Sequence, residues 1–110
     1  MLSKNAPIGQ VVYIFEFEVV PGKEDEFWKF MEEEGTPLWL SFPEIESYNI
    51  YTKLGGHGTY EAHVVINELG FMDKLMADPL SPVRGKRTAE LTQNIQRRFL
   101  KLSRVFVKDE

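Results

Sequence analysis

Apolar and polar positions alternate with period two from Val11 to Val20. Val11, Tyr13, Phe15, Phe17 and Val19 point one way, and Val12, Ile14, Glu16, Glu18 and Val20 the other, which predicts a strand. Pro21-Gly22 turns the chain, and the acids Glu24, Asp25 and Glu26 suit the positive end of a helix dipole. The helix that follows buries Phe27, Phe30 and Met31, with Trp28 at its margin. It is expected to finish with the solvated turn Glu32, Glu33, Glu34 before Gly35. Gly35-Thr36-Pro37 interrupts that pattern. Because Pro37 fits a first helical turn, Leu38, Trp39, Leu40 and Phe42 are expected to form a short apolar helix ending at Pro43.

Strand-favouring residues return between Glu44 and Lys53, and Thr59 to Ile66 alternates again; with Gly55-Gly56-His57-Gly58 between them, the two segments predict a hairpin. Asn67 is a candidate cap for a helix carrying Leu69, Met72, Leu75 and Met76 at spacings of three and four, closed by Asp78-Pro79. Leu80 to Gly85 has the composition of a loop. Ala89, Leu91, Ile95 and Phe99 then suggest another helix, and Leu102 to Lys108, with Val105, Phe106 and Val107, suggests a last strand.

The expected order is therefore βαββαβ: one α+β, ferredoxin-like domain over residues 1–110, with a four-stranded antiparallel sheet and its helices on one face. The other sheet face would carry Val12, Ile14, Val20 and Val65 among Glu16, Glu18, Glu61 and His63. That mixture is too apolar to be left wholly to water, and a second copy covering it through two-fold symmetry is the expected solution.

Composition narrows the chemistry. The chain has 110 residues, 43% hydrophobic, with a formal net charge of -4 and no cysteine, so disulfides, thiolate metal sites and a Cys nucleophile are excluded. The acidic balance argues against a general nucleic-acid partner, and no apolar run approaches the roughly 20 residues of a membrane span. A cytoplasmic protein is expected. Charge is uneven: residues 80–110 hold eight Lys or Arg against three acids, and residues 1–79 five against fourteen. Arg84, Lys86, Arg87, Arg97, Arg98, Lys101 and Arg104 could grip an acidic ligand, or could neutralise the acidic first helix or a second subunit.

Glu16, Glu18, Glu61 and His63 share one side of neighbouring strands. Such a group suits a proton-transfer pair, a divalent metal, or ion pairs with Lys101 or Arg104 across a dimer. His63 is the candidate proton acceptor, with Glu61 or Glu16 as its partner; no metal site is committed to. Trp39, Phe42, Tyr48 and Met72 are the candidate walls of an apolar ligand pocket. His57, between glycines, lacks the spacing of a phosphate-binding loop.

The segment Phe17-Glu18-Val19-Val20-Pro21-Gly22-Lys23-Glu24-Asp25-Glu26-Phe27 resembles the strand-turn-helix entry of the dimeric α/β-barrel superfamily, which includes antibiotic-biosynthesis monooxygenase-like proteins. The resemblance implies two sheets facing each other in a homodimer, with a pocket in each subunit between sheet and helices. Haem-degrading members resemble one another in a His on the second helical segment; neither 68–78 nor 87–98 contains one here, which disfavours that activity. Cofactor-free members rely on Asn, Trp and Arg or His around an aromatic substrate. Trp28, Trp39, Asn49 and His63 offer those types without the matching spacing. The expectation is a homodimer binding a small apolar or aromatic molecule, with cofactor-free oxidation or isomerisation as its chemistry. The alternative is a non-catalytic dimerisation or ligand-sensing module.

Overall fold

The structure, a computed structural model, describes residues 8–55, 58–67 and 70–108. Strands β1 (Val11–Val19), β2 (Ile45–Thr52), β3 (Thr59–Ile66) and β4 (Thr92–Lys101) form one antiparallel sheet in the order β2-β3-β1-β4. Helices α1 (Glu24–Phe30), α2 (Thr36–Leu40), α3 (Phe71–Ala77) and α4 (Ser81–Leu91) cover one face. This is the expected α+β ferredoxin-like architecture, and β3 has the expected bounds.

Alternation along β1 decides what each face receives. Tyr13, Phe17 and Val19 are buried toward the helices, where Phe17 and Val19 meet Phe27, Phe30, Met31, Ala62 and Leu91. Tyr13 joins Ile45, Val64, Ile66 and Phe71 in the adjoining part of the core. Phe71 is the buried anchor of α3, whereas Met76 of the expected stripe is 76% exposed. Asn67 precedes that helix, and Gly70 occupies its N-cap position.

Gly35 does not end the first helical segment. Met31–Gly35 continues it as a π-helical turn that runs straight into α2. Pro37 has no N–H and its ring crowds the carbonyl four residues back, and the wider turn accommodates both defects. Met31 O instead accepts both the Thr36 N–H and the Thr36 hydroxyl, the latter at 2.7 Å.

Two expectations about the C-terminal third are corrected. Leu80 to Gly85 is not a loop: α4 starts at Ser81, with Pro82 in its first turn, where a missing N–H leaves no intrahelical bond unmade. Nor do Ile95 and Phe99 lie on a helix, and the last strand is Thr92–Lys101 rather than 102–108. Leu91, Ile95 and Phe99 are four apart, a spacing that puts residues on one side of a strand as well as of a helix. Asn94, at φ 54°, makes a bulge where the β1–β4 register shifts between Glu16 and Glu18, and its side-chain amide donates to Glu18 Oε2 at 2.8 Å. The extra residue inverts the facing of all that follows. Arg97 and Phe99 lie opposite Phe15 and Tyr13 on the helix side, and Arg98 and Leu100 take the open side.

Glu44, before β2, is buried and accepts a 2.5 Å hydrogen bond from Lys74 of α3. That bond is the main reason its carboxyl sits below the usual range. A depressed carboxyl contributes stability above its unfolded pKa and loses it as pH falls through the folded one. Lys74→Met is therefore expected to lower the melting temperature at pH 7 by several degrees. The deficit should shrink as pH falls below the ordinary carboxylate range and close once it has passed the depressed pKa, where the carboxyl is protonated with or without its partner. A deficit independent of pH in thermal melts from pH 3 to 7 would show that the pair contributes nothing.

Candidate ligand-binding site

Between the sheet and its helical cover lies a cavity of about 330 Å³. β1 lends it Tyr13, Phe15 and Phe17; β2, Tyr48; and β4, Thr92, Ile95 and Arg97. The first helical segment adds Phe27, Met31, Gly35, Leu38 and Trp39. Met72, Leu75 and Met76 come from α3, and Ser81, Arg84, Gly85, Thr88 and Ala89 from α4. The volume and the largely apolar wall are those of an ordinary small-molecule site.

Aromatic rings build its floor. Trp39 lies 6.0 Å from Tyr13, 5.8 Å from Tyr48 and 5.8 Å from Phe71, and Tyr13 stacks on Phe99 at 4.8 Å. Gly35 leaves room in the wall: a Cβ there would stand 2.8 Å from Met31 Sδ and 3.3 Å from Phe30 Cε2. The π-helical turn thus permits Met31 to pack over a residue without a side chain.

The polar groups of the wall divide sharply. The Ser81 hydroxyl donates to Leu75 O, Thr88 to Arg84 O at 2.9 Å, and Thr92 to Thr88 O at 2.7 Å, so all three spend their protons on backbone carbonyls. Burial pushes the Tyr48 phenol above its ordinary range. Burial raises Tyr13 too, against the charge and hydrogen bond of the neighbouring Arg97 guanidinium. Both phenols are neutral at pH 7. Arg84 holds Glu34 at 2.9 Å through Nη1, while its Nε is buried without a partner among the described residues. No described Asp, Glu or His lines the cavity.

Of the expected wall residues, Trp39, Tyr48 and Met72 border the cavity. Phe42 does not; it packs edge-on against Phe71, with ring centroids 6.5 Å apart, and supports the wall from behind. Alternation places Tyr13 on its strand face, and charge marks Arg84 and Arg97 as residues that could grip an acidic ligand, but the sequence names none of these, nor Thr88, as cavity wall. Ile95, Arg97 and Phe99 carry the strand alternation that could have revealed the last of these.

His63, Glu61 and Glu16 stand on the opposite face. Glu16 and Glu61 are register partners on β1 and β3, as are Ile14 and His63. His63 Nε2 lies 2.7 Å from Glu61 Oε1, and Arg98 donates to the same oxygen at 3.2 Å. Bonding to His63, then the charge of Arg98, holds the Glu61 carboxyl below its usual range. Glu16 pairs with Lys53. These acids thus find bases within their own chain other than Lys101 and Arg104. Among the described residues, no three His, Asp or Glu side chains gather as a metal site. His57 and its neighbour Gly56 lie outside the described residues.

Two of the C-terminal basic residues bind the acidic first helical segment: Arg87 meets Glu26 at 3.0 Å, beside the Arg84–Glu34 pair. No helix among the described residues is long and apolar enough to cross a membrane.

Neither a protein-family model nor a curated protein sequence matches the chain. Solved structures do. SnoaB, a cofactor-independent oxygenase from Streptomyces nogalater, superposes with a TM-score of 0.78 at 12% identity, over 91% of this chain and 99% of its own. A protein from Caulobacter crescentus CB15, provisionally named an antibiotic biosynthesis monooxygenase, gives 0.73 at 14% identity, over 86% and 90%. A NIPSNAP family protein from Agrobacterium tumefaciens gives 0.72 at 18% identity, over 90% of each chain. The four-stranded sheet, its one-sided helical cover and these superpositions together establish that the chain has the ferredoxin-like α+β fold of the antibiotic-biosynthesis monooxygenase-like proteins.

Proposed function

We propose that this protein is a homodimer, each subunit of which binds a small, largely apolar or aromatic molecule between its sheet and its helices. The observation that carries the binding half is the aromatic-floored cavity of about 330 Å³. Dimerisation is supported by the open sheet face, where Val65, Val12 and Leu100 form an apolar row across β3, β1 and β4. SnoaB's activity supports cofactor-independent oxidation of the bound molecule as the reaction to assay. A second, non-catalytic reading has its own support: the described wall offers tyrosine and guanidinium donors but no carboxylate or imidazole to accept a proton.

On this reading His63, Glu61 and Glu16 act between the two sheets rather than on the cavity ligand. Their chemistry at that interface is part of the proposal, and His63→Ala should leave cavity binding unchanged.

Trp39 offers the sharpest test, because it meets three other rings of the wall, Tyr13, Phe15 and Tyr48. Buried aromatic anchors supply a large share of binding energy, so Trp39→Ala is expected to weaken binding of an aromatic probe such as 2-naphthol at least about tenfold. Calorimetric titration would show it, and failure of 2-naphthol and comparable bicyclic aromatics to bind the unaltered protein saturably would overturn the proposal. Oxygen uptake with a bound ligand would decide for the enzyme, and binding without turnover for the sensing module.

A further inference from the structure

We infer that the cavity's ligand is an organic acid, an apolar ring-sized body bearing a carboxylate that Arg97 holds; this rests on the cavity being the binding site. The reason is an imbalance of charge in the wall. Two guanidiniums line the cavity, and no described carboxylate does. Arg84 is answered by Glu34 at 2.9 Å, from beyond the lining. Arg97 makes no ion pair with any described acid, and its strand partner is Phe15. Arg97 is exposed to solvent as well as bordering the cavity, and a cation set against apolar surface still attracts an opposite charge more strongly than one wholly surrounded by water.

The remaining polar groups point the same way. The hydroxyls of Ser81, Thr88 and Thr92 have given their protons to backbone carbonyls and can offer a ligand only lone pairs. The donors left to a ligand oxygen are the Tyr13 and Tyr48 phenols, the Trp39 indole N–H and the guanidiniums, and among them Arg97 alone carries a charge that no described acid answers. Arg84 Nε, buried and without a described partner, shows further donor capacity left unspent in the same wall. A guanidinium opposite a planar carboxylate can make two parallel hydrogen bonds, a geometry that a neutral amide or alcohol does not match.

The bulge at Asn94 is what brings this about. Without the extra residue, Arg98 rather than Arg97 would share the face of Thr92, and Arg97 would join the open side.

The test compares 2-naphthoate with 2-naphthamide, nearly identical in shape, by calorimetric titration at pH 7 and low ionic strength. The unaltered protein is expected to bind the acid at least about tenfold more tightly than the amide. Arg97→Gln should remove that preference by weakening the acid alone, and Arg97→Lys should restore part of it. Equal affinity for the two probes in the unaltered protein, or a preference that survives in Arg97→Gln, would overturn the inference while leaving the cavity as the binding site. Binding of neither probe would overturn both. The acid-to-amide ratio of the unaltered protein is decisive without any variant, so a folding defect in Arg97→Gln does not blunt the test.

Discussion

Replacing Phe71 with alanine is expected to cost about 3–5 kcal/mol of folding stability, the range for truncating a buried aromatic core residue. Phe71 is fully buried at the start of α3 and meets Tyr13, Ile45, Val64 and Ile66 beneath the helix. The loss has two parts: transfer of the ring back to water in the unfolded chain, and the void left among side chains that relax only partly. Against a typical net stability of about 5–15 kcal/mol, this removes a large share. The melting temperature should fall by roughly 12 °C or more. Phe71 also backs Trp39 at 5.8 Å and Phe42 at 6.5 Å, so the cavity wall loosens with the core. Phe106, 91% exposed beyond β4, supplies the contrast: its replacement should change stability of the single chain by no more than about 0.5 kcal/mol. Urea unfolding of both variants measures the difference, and a Phe71→Ala loss below about 1 kcal/mol would mean that α3 is not anchored as described.

The contrast also shows which parts of the fold were written plainly in the sequence. Period-two alternation identified β1 and β3 and assigned the faces of β1 correctly, because those strands have an apolar side and a mixed side with little ambiguity. β4 was obscured for two physical reasons. Leu91, Ile95 and Phe99 fit both periods, and the bulge at Asn94 breaks alternation where the strand begins. Once the stretch from Ala89 to Phe99 is read as helix, the remaining strand-like stretch near the C-terminus is Val105-Phe106-Val107. α4 was hidden by Pro82 and Gly85, breakers by composition that are harmless in a first turn and beside a cavity.

Much the same separation governs the site. Trp39, Tyr48 and Met72 could be picked by residue type and predicted facing, and they border the cavity. Arg97 stood only as one of seven basic residues able to grip an acidic ligand, since its facing depends on the bulge, and Gly35 could not be picked at all, its use following from a π-helical turn that no spacing announces. His63, Glu61 and Glu16 do converge as strand pairing implied. Yet the alternation that joins them also separates them from Tyr13, Phe15 and Phe17, and hence from the cavity. Chemistry on the two faces must be considered separately.

For the open face, the expected result is dissociation when its apolar row is charged. Val12 is the register partner of Val65 on β3 and of Leu100 on β4, and the next row places His63, Ile14 and Arg98 side by side. Ile14 is 2% exposed even within a single chain, while Leu100 is 50% exposed. Stacking two such faces would bury each row twice over, once in each subunit, because a two-fold axis repeats every contact. It would equally repeat any error. Val12→Asp with Val65→Asp puts two carboxylates into each face, hence four into the dimer, with Glu16 and Glu61 already nearby. Burying even one unpaired charge costs several kcal/mol, so the weakening should exceed a thousandfold, or about 4 kcal/mol. At about 10 μM protein the variant is expected to sediment as a monomer and the unaltered chain as a dimer. Lys29→Asp, on the helical side away from this face, should leave the dimer intact. The helix-side cavity is formed within one chain, so the monomeric variant should still bind an aromatic probe within about threefold of the unaltered affinity, a difference of less than 1 kcal/mol. A dimer that survives the double substitution would place the contact on another surface, and an unaltered chain that sediments as a monomer would remove the stacked-sheet arrangement while leaving the cavity's binding argument untouched.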